Sequence, residues 1–310
     1  MPFPVNAANS HPQASGLLIP QVWSPRVLEK FYEFSVLEYI SNTDYEGEIR
    51  QQGDKVVIRT RPDITISDYE KGQTLPVQRP AVTTVELDID KGKFWSFLVE
   101  DVDAAQSDYD YMQDWTADAA ESMNEAINLQ VLTGVAASVD ADNQGATAGA
   151  TSASYDMGET GAHVAITKSN VITKLGQASA VLDEQKIPER DRWMVIPAWM
   201  KSIIFDSDIK NALIQGNDQE LLRKGHIGEL AGFNLFLSNQ LTITDDAGTN
   251  VWDIPFGHKS SLTFASQLVH SRVKEPDDYF GLLVQGLNVY GFNLNLPKAA
   301  GLLYAAPPAP

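Results

Sequence analysis

The sequence predicts an α+β protein, and three stretches of the chain carry this prediction. Residues 44–100 show strand and turn patterns and lie between two helical patterns. From residue 107 to 135 the apolar residues recur at the spacing of an amphipathic helix. Residues 252–294 return to strand patterns, which include 280–284 and 287–294. We therefore expect a long hairpin, one long helix and a second, compact module of helices and strands.

Composition indicates a globular chain with an unusual charge. Of 310 residues, 43% are hydrophobic and 21% are charged, and cysteine is absent. Disulfides, thiolate catalysis and cysteine-based zinc sites are therefore excluded. The net charge is −18, and residues 94–167 contain thirteen Asp or Glu residues without a single Lys or Arg. Such a surface repels phosphate, which argues against sequence-specific recognition of nucleic acid.

Residues 1–20 predict an irregular arm, because they contain prolines and small residues without periodicity. They lack the charged and apolar regions of a signal peptide, and no stretch of the chain approaches the roughly 18 apolar residues of a membrane span. We therefore expect a soluble protein made inside the cell. Ser24 and Pro25 suit the N-cap and first position of a helix that ends near Ile40. Its apolar residues at helical spacing are Val27, Phe31, Phe34 and Leu37.

The hairpin predicted at residues 44–99 is long for the apolar surface that it carries. Its two strands, at residues 56–61 and 84–90, alternate between faces, and the second has one apolar face. The connection at residues 62–82 is polar, whereas residues 94–99 are apolar on both faces and mark the return to a core. The hairpin is therefore expected to lack a core of its own.

The helix predicted at residues 107–135 separates apolar from acidic side chains. Its apolar side carries Met112, Trp115, Ala119, Met123, Ala126 and Ile127. The opposite side, over an arc of about 80°, carries an acidic stripe of Asp110, Asp114, Asp118, Glu121 and Glu125. Like charges four residues apart cost roughly 0.2–0.5 kcal/mol per pair. We therefore expect something outside the helix to tolerate or require the acidic stripe.

The rest of the chain predicts a loop and the second module. Residues 138–162 are rich in Gly, Ala, Ser and Thr and predict a loop that is mobile at its centre. A helix is expected at residues 170–185 and a buried strand at 193–196. A hairpin-like element at 234–238 and a turn at 245–248 follow.

No motif points to an enzyme, a metal site or a cofactor site. The five histidines, His11, His163, His226, His258 and His270, never have metal-ligand spacing. Residues 257–260 (GHKS) are similar to the end of a phosphate-binding loop, but Trp252 stands where that loop needs its first glycine, so they predict a turn. Asp245, Asp246 and Asn250 could hold calcium, yet a plain turn accounts for them.

Short phrases spread in order over nearly the whole chain carry a family resemblance. They are residues 19–24 (IPQVWS), 44–49 (DYEGEI), 53–56 (GDKV), 63–65 (DIT), 68–69 (DY), 100–106 (EDVDAAQ) and 228–233 (GELAGF). Through them the chain resembles the major capsid protein of tailed bacteriophages, in particular the short-tailed ones. Together these short motifs are specific for the family, whereas each one alone is weak evidence.

The resemblance implies the major capsid protein fold shared by tailed phages and herpesviruses. Carried over in order, it divides the chain into five parts. These are an N-terminal arm with the first helix (1–43), an extended loop (44–99), a peripheral domain with a long spine helix (100–164), an axial domain (165–250), and return strands (251–310).

The resemblance also implies a structural function and no cofactor. The chain would self-assemble as hexamers and pentamers into the icosahedral head around the double-stranded DNA genome, and the head would expand during procapsid maturation. A separate scaffolding protein, a portal and a decoration protein are the implied partners, with only non-specific DNA contact and no membrane. The chain would reside in the virion after assembly in the host cytoplasm. Lys71 and Lys91 are present, but no motif marks a partner Asn, so no crosslink between subunits is expected.

Family members lay the extended loop across the adjacent subunit, which would give this hairpin the core that it lacks. The candidate interface residues are Arg50, Arg59, Arg61, Lys71, Arg79, Val85, Leu87 and Ile89. The acidic stripe has three interpretations. It could meet the arginines of a neighbour's loop, it could line a DNA-filled lumen to which DNA does not adhere, or it could be a solvated face.

Two alternative functions remain open. A cellular nanocompartment shell with the same fold would enclose an enzyme and not DNA. Glu100 and Asp103 could instead be the paired carboxylates of an acidic carbohydrate-active enzyme, although such residues before a helix are usually solvated. Co-purified cargo protein would distinguish the first alternative, and activity on glycans that Glu100→Gln removes would distinguish the second.

Overall fold

The computed structural model describes residues 33, 35–43, 55–59, 61–62, 64–75, 77–81, 84–102, 111–207 and 228–308. The predicted arm at residues 1–20 and most of the predicted first helix lie outside these ranges, as do Arg50, Asp103 and Asp110. The helix was expected to run on to Ile40, but residues 33, 35 and 36 are not helical, and only the short helix α1 spans Leu37–Ile40. Among the described residues, no helix is long and apolar enough to cross a membrane.

Helices and strands alternate irregularly along the described chain. The other helices are α2 (Tyr111–Ser138), α3 (Val171–Glu184) and α4 (Ala198–Asp206). The strands are β1 (Lys55–Arg59), β2 (Thr84–Asp88), β3 (Lys91–Glu100), β4 (Val164–Ala165), β5 (Arg192–Ile196), β6 (Glu229–Leu230), β7 (Phe233–Leu237), β8 (Ile243–Asp246), β9 (Thr249–His258), β10 (Leu262–Lys274), β11 (Gly281–Leu294) and β12 (Ala300–Ala306).

A three-stranded antiparallel sheet contains residues far apart in sequence. Its strand order is β10–β11–β3, and β11 pairs along the whole of β3, from Lys91 opposite Tyr290 to Glu100 opposite Gly281. The extended loop was expected to reach residue 99, but β3 belongs to this sheet, so the two-stranded hairpin ends with β2. The two strands expected at 280–284 and 287–294 are one continuous strand, β11.

The long helix predicted from the apolar spacing is present as α2 and lies against β3 and β11. Its second half buries the apolar side chains Ile127, Val131, Leu132 and Val135. In its first half Trp115 meets Phe97 of β3, with ring centroids 5.6 Å apart. The helix therefore covers the face of the three-stranded sheet that carries Phe97.

A mixed seven-stranded sheet forms the second module. Its order is β4–β12–β9–β5–β7–β6, and β8 also pairs with β9. The predicted helix at 170–185 and the predicted buried strand at 193–196 are confirmed as α3 and β5, and every residue of β5 is buried. β12 lies between β4 and β9, so residues 300–306 complete a sheet whose other strands come from residues 164–258.

The segment between α2 and β4 has a defined structure, in contrast to the mobile loop expected from its small residues. Asn143 is fully buried, and its amide donates to the carbonyl oxygens of Lys298 and Ala300 at 2.8 and 2.7 Å. The Glu184 carboxylate accepts from the backbone N–H groups of residues 151 and 152, at 2.8 and 3.0 Å. Hydrogen bonds from Ser152 and Thr151 lower the pKa of that carboxyl group. Short 3₁₀ helices lie at Ala141–Asn143 and Pro297–Ala299.

A fully buried arginine fixes α3 to the seven-stranded sheet. Arg192 opens β5, and its guanidinium donates to the Asp183 carboxylate at 2.6 Å and to the Ser179 hydroxyl at 2.9 Å. It also donates to the carbonyl oxygens of Ile187 at 2.5 Å and Pro188 at 2.9 Å. One guanidinium thus donates to two carbonyl groups of the turn between α3 and β5 and to two side chains.

Candidate subunit interface

The base of the hairpin has a small core within its own chain. Val56 and Ile58 of β1 share a face with Leu87 of β2, and this face packs with Ile89, Ala265 and Val289. Leu87 is 0% exposed and Ile89 is 7% exposed. The expectation that the hairpin lacks a core is therefore wrong at its base, and neither side chain is accessible to a neighbour in this structure. Val85 of β2, the remaining apolar candidate, is half-buried.

Close backbone contact holds the hairpin base on the three-stranded sheet. A Cβ atom added to Gly291 of β11 would lie 2.1 Å from the Asp88 carbonyl oxygen and 2.8 Å from Cδ1 of Ile89. The Asn293 side chain also donates to the Glu86 carbonyl oxygen at 2.7 Å. Gly291 therefore permits the approach, because a larger residue would displace β2 from the sheet.

The opposite face of the hairpin is polar and exposed. Lys55 contacts the carboxylates of Glu86 and Asp88 at 2.5 and 3.3 Å across the strand pair. Hydrogen bonds to Glu86 and, to a smaller extent, to Asp88 raise the pKa of the Lys55 ammonium group. Arg59 is exposed on the same face. Val57 lies between these charged residues and is also exposed, so this face presents mixed chemistry to solvent.

Between the two strands lie residues 61–81, which we call the ribbon, and the described ones (61–62, 64–75 and 77–81) form no helix or strand. All of its described residues except Pro62 are exposed. The exposed fraction reaches 94% for Ile66 and 90% for Val77. Its other exposed large apolar side chains are Ile64, Tyr69 and Leu75. The sequence analysis treated this stretch as polar and missed these residues. A signal was present, because Ile64 and Ile66 are two residues apart, as are Leu75 and Val77, which is the spacing of one face of a strand.

The ribbon also carries the basic candidates. Arg61, Lys71 and Arg79 are exposed, and Arg50 lies outside the described residues. Lys71 sits in a turn closed by a hydrogen bond from the Gln73 N–H to the Glu70 carbonyl oxygen at 3.1 Å. Gly72 has φ +91° in this turn, a conformation that side chains disfavour. The interface candidates that remain accessible are therefore mainly those of the ribbon.

A second exposed apolar surface lies on the three-stranded sheet. Phe94 of β3 is 77% exposed and stands directly opposite Leu287 of β11, which is 38% exposed. Because side chains alternate along a strand, Phe94 points away from the face where Phe97 meets α2. Val289, two residues beyond Leu287, points to the same side and packs against the hairpin base. The Phe94–Leu287 surface therefore continues the one on which this chain's own hairpin rests, and sequence reasoning did not single it out.

The acidic stripe is only partly open to solvent. Asp114 and Glu121 are exposed, whereas Asp118 and Glu125 are half-buried. The Glu125 carboxylate accepts from the Glu33 N–H at 2.8 Å, so it holds the chain that precedes α1. Asp114 and Asp118 also take part in interactions within the chain.

Some of the candidate metal residues are neighbours, since Asp245 pairs with Asn250 across β8 and β9. Within the described ranges, no group of three His, Asp or Glu side chains could hold a metal ion. His163 contacts Asp246 at 3.1 Å, and the Asp245 carboxylate accepts from the Gly248 N–H at 2.8 Å within the predicted turn. Glu100 is exposed at the end of β3, and Asp103, its proposed catalytic partner, lies outside the described residues.

Comparison with known proteins identifies this architecture. A family described as phage capsid protein matches residues 82–292, which is more than half of the chain. The chain belongs to the phage capsid protein family. A search of curated proteins found no match.

Solved structures support the capsid fold for this capsid protein. It is similar to a structure from Mycobacterium phage Che8, with 24% identity, a TM-score of 0.76, and coverage of 93% of this chain and 98% of that chain. It is also similar to the capsid structure of the cyanophage P-SCSP1u (17% identity, TM-score 0.72, 94% of each chain). The capsid of an empty GTA particle is a further neighbour (15% identity, TM-score 0.63, 97% of this chain and 100% of that chain).

The capsid resemblance recognised in the sequence is therefore confirmed, as is the α+β capsid fold. The capsid protein is a structural protein of the virion that self-assembles into the icosahedral head around the phage genome. Its functional site is consequently a set of surfaces that join subunits.

Proposed function

We propose that the capsid protein joins its neighbours in the shell by laying the ribbon of one subunit on the next. The observation that carries this proposal is the exposure of Ile64, Ile66, Leu75 and Val77 on a segment without a core of its own. Apolar side chains grouped on a projecting segment of a self-assembling protein are best explained by burial against another copy.

The surface that receives the ribbon is, in this proposal, the Phe94–Leu287 surface of a second copy. Both surfaces are apolar and exposed in the isolated chain. The receiving surface is continuous with Val289, on which the chain already packs the base of its own hairpin. A neighbour's ribbon would therefore extend a packing arrangement that the sheet already makes.

Charge would add a separate contact, because α2 covers the face of the three-stranded sheet opposite to Phe94. Arg59, Arg61, Lys71 and Arg79 provide exposed cations on the hairpin and ribbon of a chain whose net charge is −18. The acidic stripe offers them a complementary partner on another subunit. The stripe could instead face packaged DNA, which an acidic wall would not bind.

Replacing Asp114 and Glu121 together by Lys separates these interpretations. If the stripe meets a neighbour's cations, the concentration needed for half-assembly should rise by roughly ten-fold, because several surface ion pairs become repulsive. Sedimentation velocity measures this concentration. The same charge change at Asp142 and Glu159, which are exposed outside α2, is the control. Normal assembly with reduced genome filling would favour the lumen interpretation, and normal assembly with normal filling would leave only a solvated face.

The family resemblance also suggests partners of the capsid protein other than its own copies. We expect a separate scaffolding protein, a portal and a decoration protein, with assembly in the host cytoplasm and no sequence-specific DNA contact. The resemblance to short-tailed phages supports a short-tailed parent virus. The five-part division of the chain is kept as a proposal, with the loop shortened to end before β3.

Negative-stain electron microscopy of the purified chain, with sedimentation velocity on the same sample, tests the proposal. Closed shells, or hexamers and pentamers that convert to shells with scaffolding protein, are the expected result. A monomer or dimer that never assembles, even with scaffolding protein, would contradict it. Shells that retain a protein cargo and no DNA would favour the nanocompartment alternative.

A further inference from the structure

The side chain of Gln78 joins the two limbs of the ribbon. Its Oε1 accepts from the Thr65 N–H at 3.0 Å, and its Nε2 donates to the Thr65 carbonyl oxygen at 2.7 Å. A backbone amide makes the same pair of bonds to an opposite residue in an antiparallel ladder. The described residues of the ribbon form no strand, so here a side-chain amide takes the place of a ladder partner.

The position of this contact determines how the apolar side chains are displayed. In an extended limb, residues two apart point to the same side. Ile64 and Ile66 flank Thr65, and Val77 directly precedes Gln78. Holding Thr65 beside Gln78 therefore brings the apolar positions of both limbs to one end of the ribbon. At the other end, Gln73 and Glu70 close the turn, with the Gln73 Oε1 accepting from the Glu70 N–H at 3.1 Å.

We propose that Gln78 is a positioning residue that orders the ribbon before it docks on a second copy of this chain. This inference rests on the proposed function of the ribbon. An exposed segment that is already ordered loses less conformational entropy on docking, so its contact is stronger for the same buried area. Gln78 need not touch the neighbouring subunit to have this effect.

Two substitutions at Gln78 test the role in the full chain. Gln78→Ala removes both hydrogen bonds, and Gln78→Glu keeps an acceptor for the Thr65 N–H but loses the donor to the Thr65 carbonyl oxygen. Hydrogen exchange of the Thr65 amide is measured under non-assembling conditions, and the half-assembly concentration is measured by sedimentation velocity. Gln73→Ala is the matched control, because it removes a glutamine contact of the same ribbon without touching Thr65.

For Gln78→Ala, we expect Thr65 exchange to quicken and the half-assembly concentration to rise, each by about three- to ten-fold. Gln78→Glu should have a smaller effect on exchange and still weaken assembly. The denaturant midpoint of the subunit should stay unchanged, because the contact is exposed. Unchanged Thr65 exchange, or quickened exchange with normal assembly, would overturn the role of Gln78.

The test also separates this inference from the proposal beneath it. If charged substitutions at Ile66 and Val77 prevent assembly while the Gln78 variants assemble normally, the ribbon is an interface and only the role of Gln78 fails. If the substitutions at Ile66 and Val77 have no effect, the proposed function of the ribbon fails as well.

Discussion

Ile66→Asp combined with Val77→Asp is expected to abolish shell assembly while the subunit remains folded. Both side chains are at least 90% exposed, so the folded subunit loses little of its own packing. Burying an Ile or a Val contributes roughly 1.5–3 kcal/mol, and each subunit contact would also have to bury two carboxylates. Since about 1.4 kcal/mol is ten-fold in affinity, the association constant of each contact should fall by more than about a thousand-fold.

Electron microscopy and sedimentation velocity measure the loss of assembly, and denaturant unfolding measures the stability of the subunit. Ser67→Asp with Thr74→Asp adds the same two charges to exposed polar positions of the ribbon and should weaken assembly far less. Ile66→Ala with Val77→Ala should fall between the two. Shells formed normally by the Ile66→Asp, Val77→Asp variant would rule out the ribbon as an apolar contact.

Arg192→Met is expected to destabilise the subunit by about 1–3 kcal/mol, the range for hydrogen-bond partners left unsatisfied. Methionine fills a similar volume but donates no hydrogen bond, so the Ile187 and Pro188 carbonyl oxygens lose the guanidinium as a donor. Asp183 is half-exposed and can be hydrated, so the main penalty comes from the backbone groups. Urea unfolding followed by fluorescence measures the change.

Two controls assign the effect to the buried geometry. Arg190→Met removes the same charge at an exposed position two residues away and should change stability by less than about 0.5 kcal/mol. Arg192→Lys keeps the charge but cannot reach all the acceptors of the guanidinium, so it should recover only part of the stability. Equal stability of the Arg192→Met and Arg190→Met variants would show that the turn does not depend on Arg192.

Local patterns were sufficient to predict several elements. The 3.6-residue period at 107–135 predicts α2, and the alternation at 84–90 predicts β2, because these signals arise from residues close in sequence. The pairing of β3 with β11 joins residues about 190 positions apart, and a single sequence holds no local signal for it. The folded segment at 139–163 was missed for a related reason, since its order comes from partners such as Lys298 and Glu184.

The hairpin that carries the candidate interface was predictable in outline only. The sequence indicates a hairpin that projects from the core and basic residues along it, and the structure contains both. The sequence does not indicate which apolar residues the hairpin keeps for its own base. Leu87 and Ile66 have similar hydrophobicity, but the sheet beneath residues 87–89 buries Leu87, whereas Ile66 is 94% exposed in the described part of the chain.

The position of β12 has a consequence for the timing of folding. Residues 300–306 pair on both sides, with β4 and with β9, so they fill a gap inside the sheet and do not extend its edge. During synthesis, β4 and β9 lack the strand that joins them until residues 300–306 have left the ribosome. A partly made subunit therefore cannot present a finished second module to a growing shell.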